Sequence, residues 1–136
     1  MSSFRVREAA ELLGVSDDTL RRWVDLGRLT ASADEAGRQA IDGAALAAFA
    51  QELAASTDRP ETGPIHSESA RNRFVGLVTR VVRDTVMAQV DIQSGGHRIV
   101  SLMSREAADE LELEPGVLAI AAVKSTNVVV EVPHRR

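Results

Sequence analysis

Apolar residues recur along the first third of the chain at helical spacing: Val6, Ala9, Ala10 and Leu13, then Leu20, Trp23 and Val24, then Leu46, Phe49, Ala50 and Leu53. Each set marks one buried face of an amphipathic helix, and the spacing predicts helices over residues 8–13, 17–26 and 42–54. Beyond residue 70 the period changes from helical to strand-like. Residues 74–82 are β-branched and apolar, and in residues 86–92 Val86, Ala88, Val90 and Ile92 fall on one face of a strand. Residues 117–123 and 127–132 have the same character, and a short helix is expected over 104–111. The two regimes meet in a segment of Pro, Gly, Ser and Thr with few apolar residues. The pattern therefore divides the chain into domains at 1–55 and 68–133, joined by a linker at 56–67.

The punctuation of the first domain is specific. Gly14 stops the first helix, because glycine adopts a left-handed turn without steric cost. Ser16 is placed to cap the next helix, with Asp17 and Asp18 in its first turn where the helix dipole favours negative charge. Gly27 ends that helix. The product is a helix, a three-residue turn and a second helix, the geometry that sets a recognition helix into a DNA major groove.

The words Val6-x-Glu8-Ala9-Ala10-x-Leu12-Leu13-Gly14-Val15-Ser16 and Thr19-Leu20-Arg21-Arg22-Trp23-x-x-x-Gly27-x-Leu29 resemble the MerR and excisionase-type winged helix-turn-helix. The resemblance implies a wing over residues 31–41 with Gly37-Arg38 at its tip, and a third helix packing back on the first two. It also implies that Thr19, Arg21 and Arg22 approach DNA from the recognition helix, while Arg38 reaches the backbone or minor groove. Trp23, three residues after Leu20, is expected in the core. On an exposed helix face Arg21 and Arg22 would ordinarily be solvated charge, but within this motif they are expected to contact DNA.

The second domain opens on Ser69-Ala70-Arg71-Asn72 and closes on Lys124-Ser125-Thr126-Asn127-Val128, with a hairpin through residues 93–96 between them. A tetrahedral dianion needs several hydrogen-bond donors and one or two fixed cations, with no carboxylate beside it. Ser69 and Arg71 offer a hydroxyl and a guanidinium, and Lys124 and Ser125 an ammonium and a hydroxyl. Lys124 is the only lysine in the chain. Ser104 is either an N-cap or an anion-binding hydroxyl at a helix start. Asn72 is expected to brace the turn, and Arg71 could alternatively pair with a nearby carboxylate such as Glu68.

This arrangement is similar to the Mop (molbindin) domain, a TOBE-like molybdate-binding family. The resemblance implies an OB-like β-barrel, and the whole chain is then α+β: an all-α winged helix-turn-helix domain followed by that barrel. It implies molybdate or tungstate as ligand, with no organic cofactor and molybdenum present only as the oxyanion. The ligand set it implies is Ser69, Ala70 through its N–H, and Arg71 from one subunit, with Ser104, Lys124 and Ser125 from a neighbour. Ala107 stands where family members often carry a second hydroxyl. The assembly implied is a homo-hexamer, built as a trimer of dimers.

Composition changes this picture in a few places. Forty-four per cent of residues are apolar, and no stretch reaches the ~20 apolar residues of a membrane span. A cytoplasmic address and no membrane partner are expected, since the N-terminus lacks the apolar core of a signal peptide. The absence of cysteine excludes disulfides and thiolate metal sites. Residues 1–59 carry seven arginines against ten carboxylates, −3, and residues 60–136 nine cations against ten, −1. Neither domain is a basic block, so DNA binding must come from local clusters. No metal-ligand spacing, nucleophile triad or glycine-rich phosphate loop is present, so no catalytic residue and no enzyme activity is expected. The two resemblances together imply a transcriptional regulator of molybdenum homeostasis, with DNA as partner; the alternative is a molybdate storage or buffering protein with weak or no specific DNA binding.

Overall fold

The computed structural model describes residues 2–56 and 71–134. The chain forms two compact units, Met1–Arg59 and Pro60–Arg136.

In the first unit, α1 (Val6–Leu13) ends at Gly14, whose φ of 73° is the left-handed stop that its sequence position predicts. Helix α2 (Asp17–Asp25) starts from Ser16, and the Thr19 N–H donates to Ser16 Oγ at 3.1 Å. Helix α3 (Gly43–Ser56) is capped by Asp42, whose Oδ2 accepts from the Ala45 N–H at 3.1 Å. Val6, Ala9, Ala10, Leu20, Leu29, Ile41, Leu46 and Phe49 make one core, against which Trp23 packs. Trp23 and Phe49 meet edge to face at 5.2 Å, and the Arg28 guanidinium lies over both rings at 5.4 and 5.2 Å.

The wing is a hairpin of β2 (Ala31–Ala33) and β3 (Gln39–Asp42), turning at Gly37 with φ 77°. Residues 3–5 add a strand that the sequence pattern did not announce. This β1 (Ser3–Arg5) pairs antiparallel with β3, giving a three-stranded sheet of order β1-β3-β2. The wing sheet of this helical domain gains a third strand because backbone groups of residues 3–5 find partners on β3.

The second unit is an antiparallel sheet of β4 (Asn72–Arg83), β5 (Met87–Ser94), β6 (His97–Ser104) and β7 (Leu118–Val123), in the order β6-β5-β4-β7. Helix α4 (Arg105–Glu110) follows β6 directly. A register shift between Val78 and Arg80 breaks the β4–β5 ladder, the kind of irregularity that bends a strand and increases its twist. The sheet curls so that its two edge strands line a common apolar cleft of about 550 Å3, with Ile99 and Met103 of β6 on one side and Ala119 and Ala121 of β7 on the other. Val78, Val90, Ile92 and Leu113 are the buried centre of this concave face. Gly76 is forced by the close approach of β4 and β5, since a Cβ there would stand 2.3 Å from the Gln93 carbonyl oxygen.

Residues 127–132 depart from their strand-like pattern. A 3-10 turn takes Ser125–Asn127, and residues 128–134 run on without a strand partner among the described residues. Val129, Val130 and Val132 are 84, 81 and 87% exposed. β-branched residues favour extended backbone, but a strand needs a neighbour to hydrogen-bond with.

Candidate functional site

The two signature segments of the second unit lie on adjacent strand ends. Strand β4 pairs with β7 in a register that sets Asn72 opposite Val123. Arg71 and Lys124 each sit one residue beyond that pair, at the same end of the sheet, and both are exposed. Asn72 braces this strand end, donating from Nδ2 to the Val123 carbonyl at 3.2 Å. After Lys124 the chain enters its 3-10 turn, where the Asn127 N–H donates back to the Lys124 carbonyl at 2.9 Å. The opening turn of such a helix leaves the first N–H groups, here those of Ser125 and Thr126, without intrahelical acceptors. The register therefore brings Arg71, Lys124 and Ser125 to neighbouring strand ends. Ser69 and Ala70 lie outside the described residues.

Ser104 stands elsewhere. It closes β6 opposite Met87, near the far end of β4, where Arg83 pairs with Ala88 of β5. From Arg71 to that end, β4 covers roughly 40 Å of contour at ~3.3 Å per residue. Within one chain, Lys124 is grouped with Arg71, and Ser104 is remote from both. The Ser104 hydroxyl is the N-cap of α4, accepting from the Ala107 N–H at 3.1 Å. The depression next to it is lined by Glu106, Asp109 and Glu110, together with Arg105. Asp109 is countered by Arg83 at 2.9 Å and by Arg105 at 3.8 Å.

On the convex face of the same sheet, Asp91 is buried although it is charged. Arg98 donates to its Oδ2 from Nε at 3.0 Å and from Nη2 at 2.8 Å, and Gln89 Nε2 donates to Oδ1 at 3.2 Å. The Arg98 hydrogen bonds, then that of Gln89, hold the Asp91 carboxyl below the usual carboxylate range despite burial. Sequence reasoning did not single out this pair. Its only signal was an acidic residue within an otherwise buried strand pattern.

In the first unit, Arg21 and Arg22 lie on the exposed face of α2. Thr19 is half-buried, and its Oγ1 accepts from the Ser16 hydroxyl at 2.9 Å, so it is committed to the helix start. Arg38 sits at the wing tip, but Asp34 is its neighbour at 3.6 Å. Asp34 Oδ1 also accepts from the N–H groups of Arg38 and Ala36 at 2.8 and 2.9 Å. The Arg38 N–H contributes most to holding the Asp34 carboxyl low. Burial opposes the shift, while the Ala36 N–H and the charges of Arg38 and Arg5 add to it. Asp34 is thus the acceptor that closes the wing turn. Among the described residues, no group of His, Cys, Asp and Glu could hold a metal ion, and no helix is long and apolar enough to cross a membrane.

The model of the TOBE domain matches residues 68–130, and that of a helix-turn-helix domain matches residues 3–54. Molybdenum-pterin-binding protein 2 of Clostridium pasteurianum is 37% identical over 65 residues, covering 47% of this chain and 96% of that protein. The molybdenum transport protein ModE of Herbaspirillum seropedicae is 40% identical over 62 residues, 45% of this chain and 23% of its own length. Among solved structures, a molybdate-binding protein from Sporomusa ovata is 30% identical, with 48% of this chain and 98% of that one covered at a TM-score of 0.47. The chain belongs to the molybdenum-pterin-binding (Mop) family through its TOBE domain, which it carries behind a helix-turn-helix domain.

Proposed function

We propose that the protein binds molybdate or tungstate between copies of itself and uses its helix-turn-helix domain to couple that binding to DNA, as a MerR-like transcriptional regulator of molybdenum homeostasis in the cytoplasm. The observation that carries the first part is the convergence of Arg71, Lys124 and Ser125 on neighbouring strand ends. This donor set fits a tetrahedral oxyanion, which brings two negative charges and acceptor oxygens only. Arg71 and Lys124 supply the countercharge, Arg71 as a planar fork and Lys124 as a compact ammonium. Ser69, the Ala70 N–H and Ser125 complete the hydrogen bonds.

Ser104 joins the set from another copy, because one chain holds it at the far end of the sheet. Self-association has independent support. Two sheet edges unpaired among the described residues, the apolar cleft between them and four exposed valines in residues 128–132 are what a second copy would cover. A hexamer built as a trimer of dimers is the assembly proposed.

Coupling then follows from linkage. A ligand that bridges copies favours the arrangement it bridges, and so sets the spacing of the attached DNA-binding heads. The test is DNA binding by the full chain with and without molybdate. A change in affinity for a selected sequence supports the regulator, and no sequence-selective binding in either condition sinks it. That second result would favour a storage or buffering protein, a reading to which the −3 balance of residues 1–59 also lends weight.

A further inference from the structure

Helix α2 presents a carboxylate and a guanidinium side by side on its outer face, one turn apart. The Asp18 side chain is 98% exposed and that of Arg21 58%, with Oδ1 and Nη1 3.9 Å apart. That separation is too long for a hydrogen bond, so the carboxylate keeps its acceptors and the guanidinium its donors. Asp18 is not needed as a cap, since Ser16 performs that role for the Thr19 N–H. Sequence analysis placed Asp18 only as a favourable charge in the first helical turn.

We propose that Asp18 and Arg21 together read a single G·C base pair in the major groove, and that Asp18 is a specificity-determining residue of this domain. The inference rests on the DNA-binding reading above. The first turns of a recognition helix are those that reach base edges. The major-groove edge of G·C offers two acceptors, guanine N7 and O6, next to one donor, the cytosine N4 amino group. A guanidinium only donates and an ionised carboxylate only accepts, so the adjacent heads of Arg21 and Asp18 match that edge in order. An A·T pair interposes its donor between two acceptors, and the carboxylate would then face an acceptor without compensation. Asp18 also repels phosphates, which weakens non-specific binding and makes the correct base pair a condition of docking. Arg22, exposed and without an ion pair among the described residues, remains available for the backbone.

The test uses the full chain and a pool of randomised duplexes. Wild-type protein should enrich a sequence with one invariant G·C pair in each half-site. Replacing that cytosine with N4-methylcytosine should weaken wild-type binding by about 10-fold, the scale of one specific base contact, and leave Asp18→Ala unaffected. Replacing the guanine with 7-deazaguanine should weaken wild type and Asp18→Ala alike, and leave Arg21→Ala unaffected. Circular dichroism of both variants should match wild type, since both side chains are exposed. An enriched sequence without a fixed G·C pair, or an N4-methyl penalty that persists in Asp18→Ala, overturns the proposal while leaving DNA binding intact. Enrichment of no sequence at all overturns it together with the DNA-binding reading.

Discussion

Arg98 holds the buried carboxylate of Asp91 across the convex face of the second unit with two hydrogen bonds to one oxygen, at 3.0 and 2.8 Å. Removing one member of such a pair leaves an uncompensated charge, whereas removing both leaves none. Arg98→Ala should therefore lower the melting temperature of the second unit more than the double variant Asp91→Ala/Arg98→Ala, measured by thermal unfolding at neutral pH. Equal losses in the two variants would contradict this account of the pair.

The same pair sets a direction for pH. The Asp91 carboxyl is lowered in the folded state, first by Arg98 and then by Gln89. Its stabilising contribution is then complete above the ordinary carboxylate pKa of about 4, and it is lost as pH falls through the lowered folded value. Acid unfolding should steepen below that range, and Asp91→Asn should flatten the acid limb of the curve. An acid limb identical in wild type and Asp91→Asn would refute the assignment.

Gly76 is irreplaceable on steric grounds. Its missing Cβ would meet the backbone carbonyl oxygen of Gln93 at 2.3 Å, a contact no rotamer can relieve. Gly76→Ala should cost at least the ~1–3 kcal/mol typical of overpacking and should part β4 from β5. Hydrogen exchange would show lost protection in residues 87–94, with helices α1–α3 of the separate first unit unchanged.

How much of this was legible from sequence depended on how local each feature is. Gly14 and Ser16 act through residues within four positions, so both the turn and the cap were readable. Strand β1 was not, because three residues carry no period and their partner is Ala40–Asp42 across the domain. Residues 127–132 show the opposite failure: composition announced a strand, but composition does not supply a neighbour. The Ser-Ala-Arg-Asn and Lys-Ser motifs identified donor types. Only the strand register shows that Arg71 and Lys124 share one end of the sheet while Ser104 closes the other.

The exposed valines lead to a prediction about assembly. Val130→Lys sets a charge on a segment that is 81% exposed in the single chain, so the isolated fold should tolerate it within about 0.5 kcal/mol. If that segment is covered by a second copy, the variant should show a smaller particle mass than wild type by light scattering. An unchanged mass would remove residues 128–132 from the interface.

The central claim is that Arg71 and Lys124 hold an oxyanion between copies of the chain. It is tested most directly by calorimetric titration of the 136-residue chain with molybdate, tungstate and sulfate, together with its mass in solution. The account predicts an oligomer that binds molybdate and tungstate in preference to sulfate. It also predicts that Arg71→Ala and Lys124→Ala each weaken binding at least about 10-fold, the scale of one charge-assisted hydrogen bond, without a change in melting temperature of the ligand-free protein. A monomer that binds molybdate, a preference for sulfate, or full affinity in both variants would contradict it.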